Sequence, residues 1–156
     1  MAEEGGELSR SGGCQCGAVR YVVTALKDDA HVCHCRMCQK ATGNLFAALV
    51  GTAPGALTFT RGTPATFRSS DHVDRGFCAA CGTPLFYRYR PSGHVSLMMG
   101  TFDDPATLPP LVEEAGCEGR LPHVAQLSGL PRHSTEEQME DAPAIAASNR
   151  QHPDHD

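Results

Sequence analysis

"HVCHCRMCQK", residues 31–40, places three cysteines in six positions: Cys33, Cys35 and Cys38. Two further groups flank it, Cys14-x-Cys16 and Cys78-x-x-Cys81, while Cys117 stands alone. How these cysteines are used decides what holds the chain together. The 156 residues fit one domain. Sixteen Gly, eleven Pro and no Trp point to many turns and a modest apolar core. Such a core is commonly reinforced by metals or disulfides.

Disulfides need an oxidising compartment. The N-terminal stretch "MAEEGGELSRSGG" offers no apolar run that would serve as a signal peptide, and no run is long enough to cross a bilayer. The expectation is a cytoplasmic chain without a membrane partner, whose clustered cysteines ligate metal.

Zinc suits thiolates, bound at about 2.3 Å, which sets the sulfurs of a tetrahedral site roughly 3.8 Å apart. A CxxC turn curls two thiols around one ion, and Gly82 directly after Cys81 permits the tight turn. In CxC the two side chains share a face about 6.6 Å apart if the segment stays straight. The strand must therefore bend, which the glycines around Cys14 and Cys16 allow.

The groups supply two, three and two thiolates. If motifs stay intact, only Cys14, Cys16, Cys78 and Cys81 together make four, the ligand set of a closed structural zinc. Cys33, Cys35 and Cys38 then keep three, the ligand number of many catalytic zinc sites. A fourth ligand from His31, His34 or Cys117 would close this second site. His34 lies between two ligands on an extended segment, so alternation turns it away, as an exposed or supporting histidine. Cys117 reads as a small apolar residue unless it ligates. An exogenous fourth ligand remains the other choice.

Most segments read as strands, so the fold class is mostly β with short helical turns. In "AVRYVVT" (18–24), Val19, Tyr21 and Val23 share one face. "LFAALV" (45–50) is a short apolar run. "LTFTRG" and "ATFRSS" are separated by Gly62-Thr63-Pro64, read as a hairpin turn, and Pro91-Ser92-Gly93 separates "PLFYRYR" from "HVSLMMG" in the same way. Asp104-Pro105 reads as an N-cap and first turn, and Ser134 with Glu137 as a capping box. Residues 1–11 read as disordered, 12–133 as the zinc-binding domain and 134–156 as an acidic flexible tail.

The net charge is −5. Six acids and one base, Arg150, fall within residues 134–156, which accounts for the whole imbalance. A neutral body with an acidic end is a poor nucleic-acid binder. Oligomeric state is not legible.

The motifs "GGCQCGAVRY", "CHCRMCQKATG", "RGFCAACGTPLFY" and "GTFDDP" resemble, in order and spacing, those of the glutathione-dependent formaldehyde-activating enzyme family, which includes centromere protein V. The resemblance runs from Gly12 to Pro131, with a weaker "RLPHVAQLSGLP" near its end. His123 departs from it, where similar proteins often carry an aromatic. The resemblance implies an Mss4-like zinc-stapled fold. It implies a structural zinc on Cys14, Cys16, Cys78 and Cys81, and a catalytic zinc on Cys33, Cys35 and Cys38 with an open position.

The implied activity is that of a carbon–sulfur lyase, with glutathione or another small thiol as co-substrate and formaldehyde or another aldehyde as partner. Two zincs per chain are expected, the second bound more weakly. Arg36 and Lys40, and Arg75 before the CxxC pair, read either as solvated surface or as groups that hold the carboxylates of glutathione. Arg36 could also offset the charge of the sulfurs. The alternatives are a non-catalytic zinc-stabilised binding module or thiol carrier, and a redox sensor built on the middle thiols.

Overall fold

The computed structural model describes residues 8–155. Residues 1–7, most of the segment read as disordered, lie outside the described residues, whereas Arg10 and Ser11 belong to the first strand.

Among the described residues ten strands form two sheets. The smaller holds β1 (Arg10–Gly13), β2 (Arg20–Val23) and β5 (Leu57–Arg61), all antiparallel. The larger runs in the order β10 (Glu113–Ala115), β3 (His31–Cys33), β4 (Ala47–Gly51), β9 (His94–Met98), β8 (Pro84–Tyr89), β7 (Val73–Phe77) and β6 (Ala65–Ser70). Among the described residues only β10 on β3 is parallel.

Alternation along β4 and β9 gives the larger sheet two different faces. Val50 and its partner Leu97 point to the main core, with Leu85, Phe86, and Tyr21 and Val23 from the smaller sheet. Tyr21 is fully buried, edge-on to Phe102 at 5.5 Å, and its hydroxyl is paired with Thr101 at 2.9 Å. Leu49 and its partner Met98 point the other way, into a second cluster with Cys38 and Ala47. Over that second face sits α1 (Arg36–Thr42), the segment that carries Cys38.

The hairpin through residues 91–93 forms as the turn signals indicate, pairing β8 with β9. The one through residues 62–64 does not: β5 joins the smaller sheet and β6 pairs with β7 in the larger. Gly62, with φ +65°, sits where a Cβ would fall 2.1 Å from the Ala18 carbonyl oxygen. The turn therefore crosses between sheets against the backbone before β2 rather than folding β6 back on β5. Asp104 precedes a 3₁₀ turn over Pro105–Thr107 but makes no side-chain cap.

The acidic end is more structured than its composition suggests. It carries α3 (Thr135–Gln138), with the expected Ser134–Glu137 capping box, and α4 (Ala142–Ala147). It returns to the first cysteine loop, where the His152 N–H donates to the Gln15 carbonyl at 2.6 Å. Among the described residues no helix is long and apolar enough to cross a membrane.

Candidate metal centres and the adjoining cleft

Residues 14–16 follow β1 and residues 78–81 follow β7, so two strand ends from different sheets bring four thiols together. The sulfurs of Cys14, Cys16, Cys78 and Cys81 all lie within 4.8 Å of one another. Cys14 to Cys16 is 3.6 Å and Cys16 to Cys78 is 3.8 Å, the spacing of a tetrahedral thiolate site. The CxC bend is held by the Cys14 N–H to the Val19 carbonyl and by the Val19 N–H to the Cys14 sulfur. Thr83 ties the two loops, accepting from the Gln15 N–H at 3.1 Å and pairing with the Cys81 sulfur at 3.2 Å.

The second group has three members, Cys33, Cys35 and Cys38, again with sulfurs within 4.8 Å of one another. Cys33 ends β3 and Cys35 is the N-cap of α1, its sulfur accepting the Cys38 N–H at 3.4 Å. Gln39, buried behind them, donates from Nε2 to the carbonyls of His34 (2.8 Å) and Gly119 (2.9 Å). The chain after β10 is thereby bound to the loop that carries the ligands. Gly116, at φ +62°, lies where a Cβ would come within 2.7 Å of the Cys35 nitrogen.

The thiols within each group titrate unequally. Burial, reinforced by the two neighbouring thiols, pushes Cys33 up to about 12. Burial also raises Cys38, against the pull of Arg75. Burial works against ionisation of Cys35 too, but the Cys38 N–H and the adjacent thiols outweigh it and hold Cys35 low. The same split divides the four-cysteine group. For Cys81, burial is overcome by hydrogen bonds from Thr83 and the Cys16 N–H, which bring it down to about 6. Cys16 gains from the Ala18 N–H but is driven up to about 12, chiefly by its thiol neighbours. Crowded thiols ionise together only when a cation lies between them. Both donor sets, soft and closely spaced, fit a thiophilic metal ion.

None of the three candidate fourth ligands, His31, His34 and Cys117, joins the three-cysteine group. His34 does turn away, as alternation requires, but it is fully buried rather than exposed. Its Nε2 is paired with Glu114 at 2.9 Å and its ring is edge-on to Phe46. Cys117 is exposed, with its sulfur 3.5 Å from the Glu114 carbonyl oxygen. His31 is occupied at Nδ1, 2.7 Å from the Asp29 carbonyl oxygen. His123, at the start of α2 (His123–Gln126), is exposed.

The three sulfurs border a cleft of about 400 Å³ on the second face of the large sheet. Its other walls include His31, Leu49, Tyr87, His94 and Ser96, side chains that alternation aims to this face. Arg75 is the residue that sequence reasoning undervalued. It is 8% exposed, with Nη2 donating to the Cys38 sulfur at 3.6 Å, Nε donating to Ser69 at 3.3 Å and its guanidinium over the Tyr87 ring. The charge-offsetting position considered for Arg36 is thus held by Arg75, and Arg36 instead donates to the Gln39 side chain. Arg36 and Lys40 line a neighbouring trough of about 370 Å³ with Phe67 and Ser69, which shares Met37 and Arg75 with the cleft.

A family model described as glutathione-dependent formaldehyde-activating enzyme matches residues 9–115. The chain belongs to that family. The match to the formaldehyde-activating enzymes takes in both cysteine groups and Arg75, and ends before Cys117 and the acidic segment. The fold is also similar to the crystal structure of a Rhodobacter sphaeroides protein solved as a structural-genomics target. The TM-score is 0.51 with 24% identity, over 58% of this chain and 85% of that one. At this identity the likeness concerns the fold.

Proposed function

We propose that the chain is a zinc-dependent carbon–sulfur lyase-type enzyme. It forms and splits the adduct of glutathione, or another small thiol, with formaldehyde or another small aldehyde. The observation that carries this reading is the three-thiolate group at the wall of an open cleft, with His34 and Cys117 both turned to other partners. Glutathione and formaldehyde follow from the family.

Cys33, Cys35 and Cys38 would hold a catalytic zinc, and Cys14, Cys16, Cys78 and Cys81 a structural one. Zinc on the three sulfurs would supply a cationic anchor that keeps an incoming thiol in its thiolate form. Arg75 offsets the negative charge gathered on the cysteine sulfurs. Arg36 and Lys40, on the trough beside the cleft, hold the carboxylates of glutathione. In the forward direction the thiolate sulfur bonds to the carbonyl carbon, the C=O π pair moves to oxygen, and that oxygen is protonated. Cleavage is the same sequence reversed.

The test is exchange between glutathione, formaldehyde and their adduct, followed by NMR with zinc-loaded protein. Turnover above the protein-free rate that disappears in Cys35→Ser supports the reading. A rate equal to the protein-free one replaces it with a binding module or thiol carrier.

A further inference from the structure

On the wall of the cleft formed by β9, His94 and Ser96 form a directed chain with Lys27 from the segment between β2 and β3. The exposed Lys27 places Nζ 3.1 Å from His94 Nδ1, and His94 Nε2 lies 3.0 Å from the Ser96 hydroxyl. A lysine ammonium can only donate, so His94 Nδ1 accepts. The neutral imidazole then carries its proton on Nε2 and donates it to Ser96. Ser96 has one hydrogen of its own, and with its oxygen engaged as an acceptor that hydrogen is left for another partner. Among the described residues no acceptor takes it. Ser96 is 3% exposed and borders the same cleft as the three sulfurs.

We propose that Ser96 is a catalytic hydrogen-bond donor to the aldehyde oxygen, with His94 and Lys27 as its positioning residues. This rests on the lyase reading of the cysteine cleft. As the thiolate–carbon bond forms, the C=O π pair becomes an alkoxide lone pair. The Ser96 hydroxyl holds that charge, and water entering the open cleft supplies the proton. A donor already aimed at the developing charge needs no reorganisation during the reaction. The two hydrogen bonds behind it polarise it in one direction, away from the lysine charge. The groups facing His94 are consistent with a neutral ring: burial, then Lys27 and His31, lower its affinity for a proton, and Asp29 opposes them.

The experiment uses zinc-loaded full-length protein and has two readouts. In glutathione–formaldehyde exchange, Ser96→Ala should lower kcat by about 100-fold, with zinc content and the KM for glutathione little changed. Ser96→Thr, which keeps the hydroxyl, should restore most of it. Binding is measured separately by calorimetry with 2-mercaptoethanol and ethanethiol, a thiol with and without an adduct-like hydroxyl. Wild type should prefer 2-mercaptoethanol by about fivefold or more, and Ser96→Ala should lose that preference, an effect of the size of one hydrogen bond. Because this arm needs no turnover, it tests Ser96 even if the lyase reading fails. Nitrogen-15 NMR of His94 should show the Nε2–H tautomer, altered in Lys27→Met. An unchanged kcat in Ser96→Ala, no thiol preference in wild type, or an Nδ1–H tautomer at His94 would each overturn the proposal.

Discussion

Arg75 and Cys38 meet with guanidinium Nη2 3.6 Å from the thiol sulfur, although one comes from β7 and the other from the first turn of α1. Arg75 is buried and carries one further nitrogen, Nη1, without a hydrogen-bond partner. A buried cation in that position favours charge on the sulfur beside it. Arg75→Met should therefore weaken metal binding at the three-cysteine group by ten- to a hundredfold, the usual cost of removing a partner behind a ligand. Arg75→Lys should fall between, keeping the charge and losing the fork. A competition titration with a chromophoric chelator measures this, with the four-cysteine site unchanged as the internal control.

The two cysteine groups should fail differently. Cys78 is 1% exposed and joins loops from the two sheets, so Cys78→Ser should unfold or aggregate the domain. Folding free energy of the order of 10 kcal/mol is at stake in such a site. Cys35→Ser should fold and hold one ion fewer. Melting curves together with elemental analysis separate the two outcomes. Equal melting temperatures for Cys78→Ser and wild type would remove the structural role.

Asp103 fastens the start of the chain. It receives Arg20 Nη1 at 2.9 Å and the Ser11 hydroxyl at 2.5 Å, linking β2 and β1 to the segment after β9. Burial opposes its ionisation, but these hydrogen bonds overcome it and hold its carboxyl below the ordinary Asp value of 3.8. A depressed acid contributes stability that is present above the unfolded-state pKa and is lost as pH falls through the folded one. Denaturant melts should thus lose this contribution below about pH 4. Asp103→Asn should cost about 1–3 kcal/mol at pH 7, as weakening a part-buried, charge-assisted pair does, and should flatten the acid limb.

The acidic segment should protect the four-cysteine site. Cys16 and Cys81 face Met139, Ala142 and Ile145 across a pocket, and Ala142 is buried. A chain ending at His133 should fold, yet release the ion of that site to EDTA several-fold faster than the full chain. Unchanged release would mean that the segment merely lies alongside.

What the sequence showed and what it hid have physical reasons. The two cysteine groups were legible because metal chemistry fixes both residue type and spacing, and the 84–98 hairpin because its turn joins strands that are neighbours in one sheet. The 57–70 segment was misread because Gly62-Thr63-Pro64 signals a turn without saying which sheet the next strand joins. Acid content concealed the buried Ala142 and the return of the C-terminal segment to the first cysteine loop, where the His152 N–H donates to the Gln15 carbonyl. Arg75 gave no local sign of its contact. That contact arises only when β7 pairs with β8 and α1 packs over the same face, which sequence spacing does not encode. His34 was correctly turned away from the sulfurs, but its surroundings depend on Phe46, just beyond the motif, and on Glu114, 80 residues further along the chain.

The most direct measurement is zinc-edge anomalous diffraction from crystals with and without glutathione. The predicted result is two ions. One is enclosed by Cys14, Cys16, Cys78 and Cys81; the other is held by Cys33, Cys35 and Cys38 with a solvent ligand that the glutathione sulfur replaces. A second ion closed by Cys117 or His34, or absent from the three cysteines altogether, would contradict an open thiol-binding position.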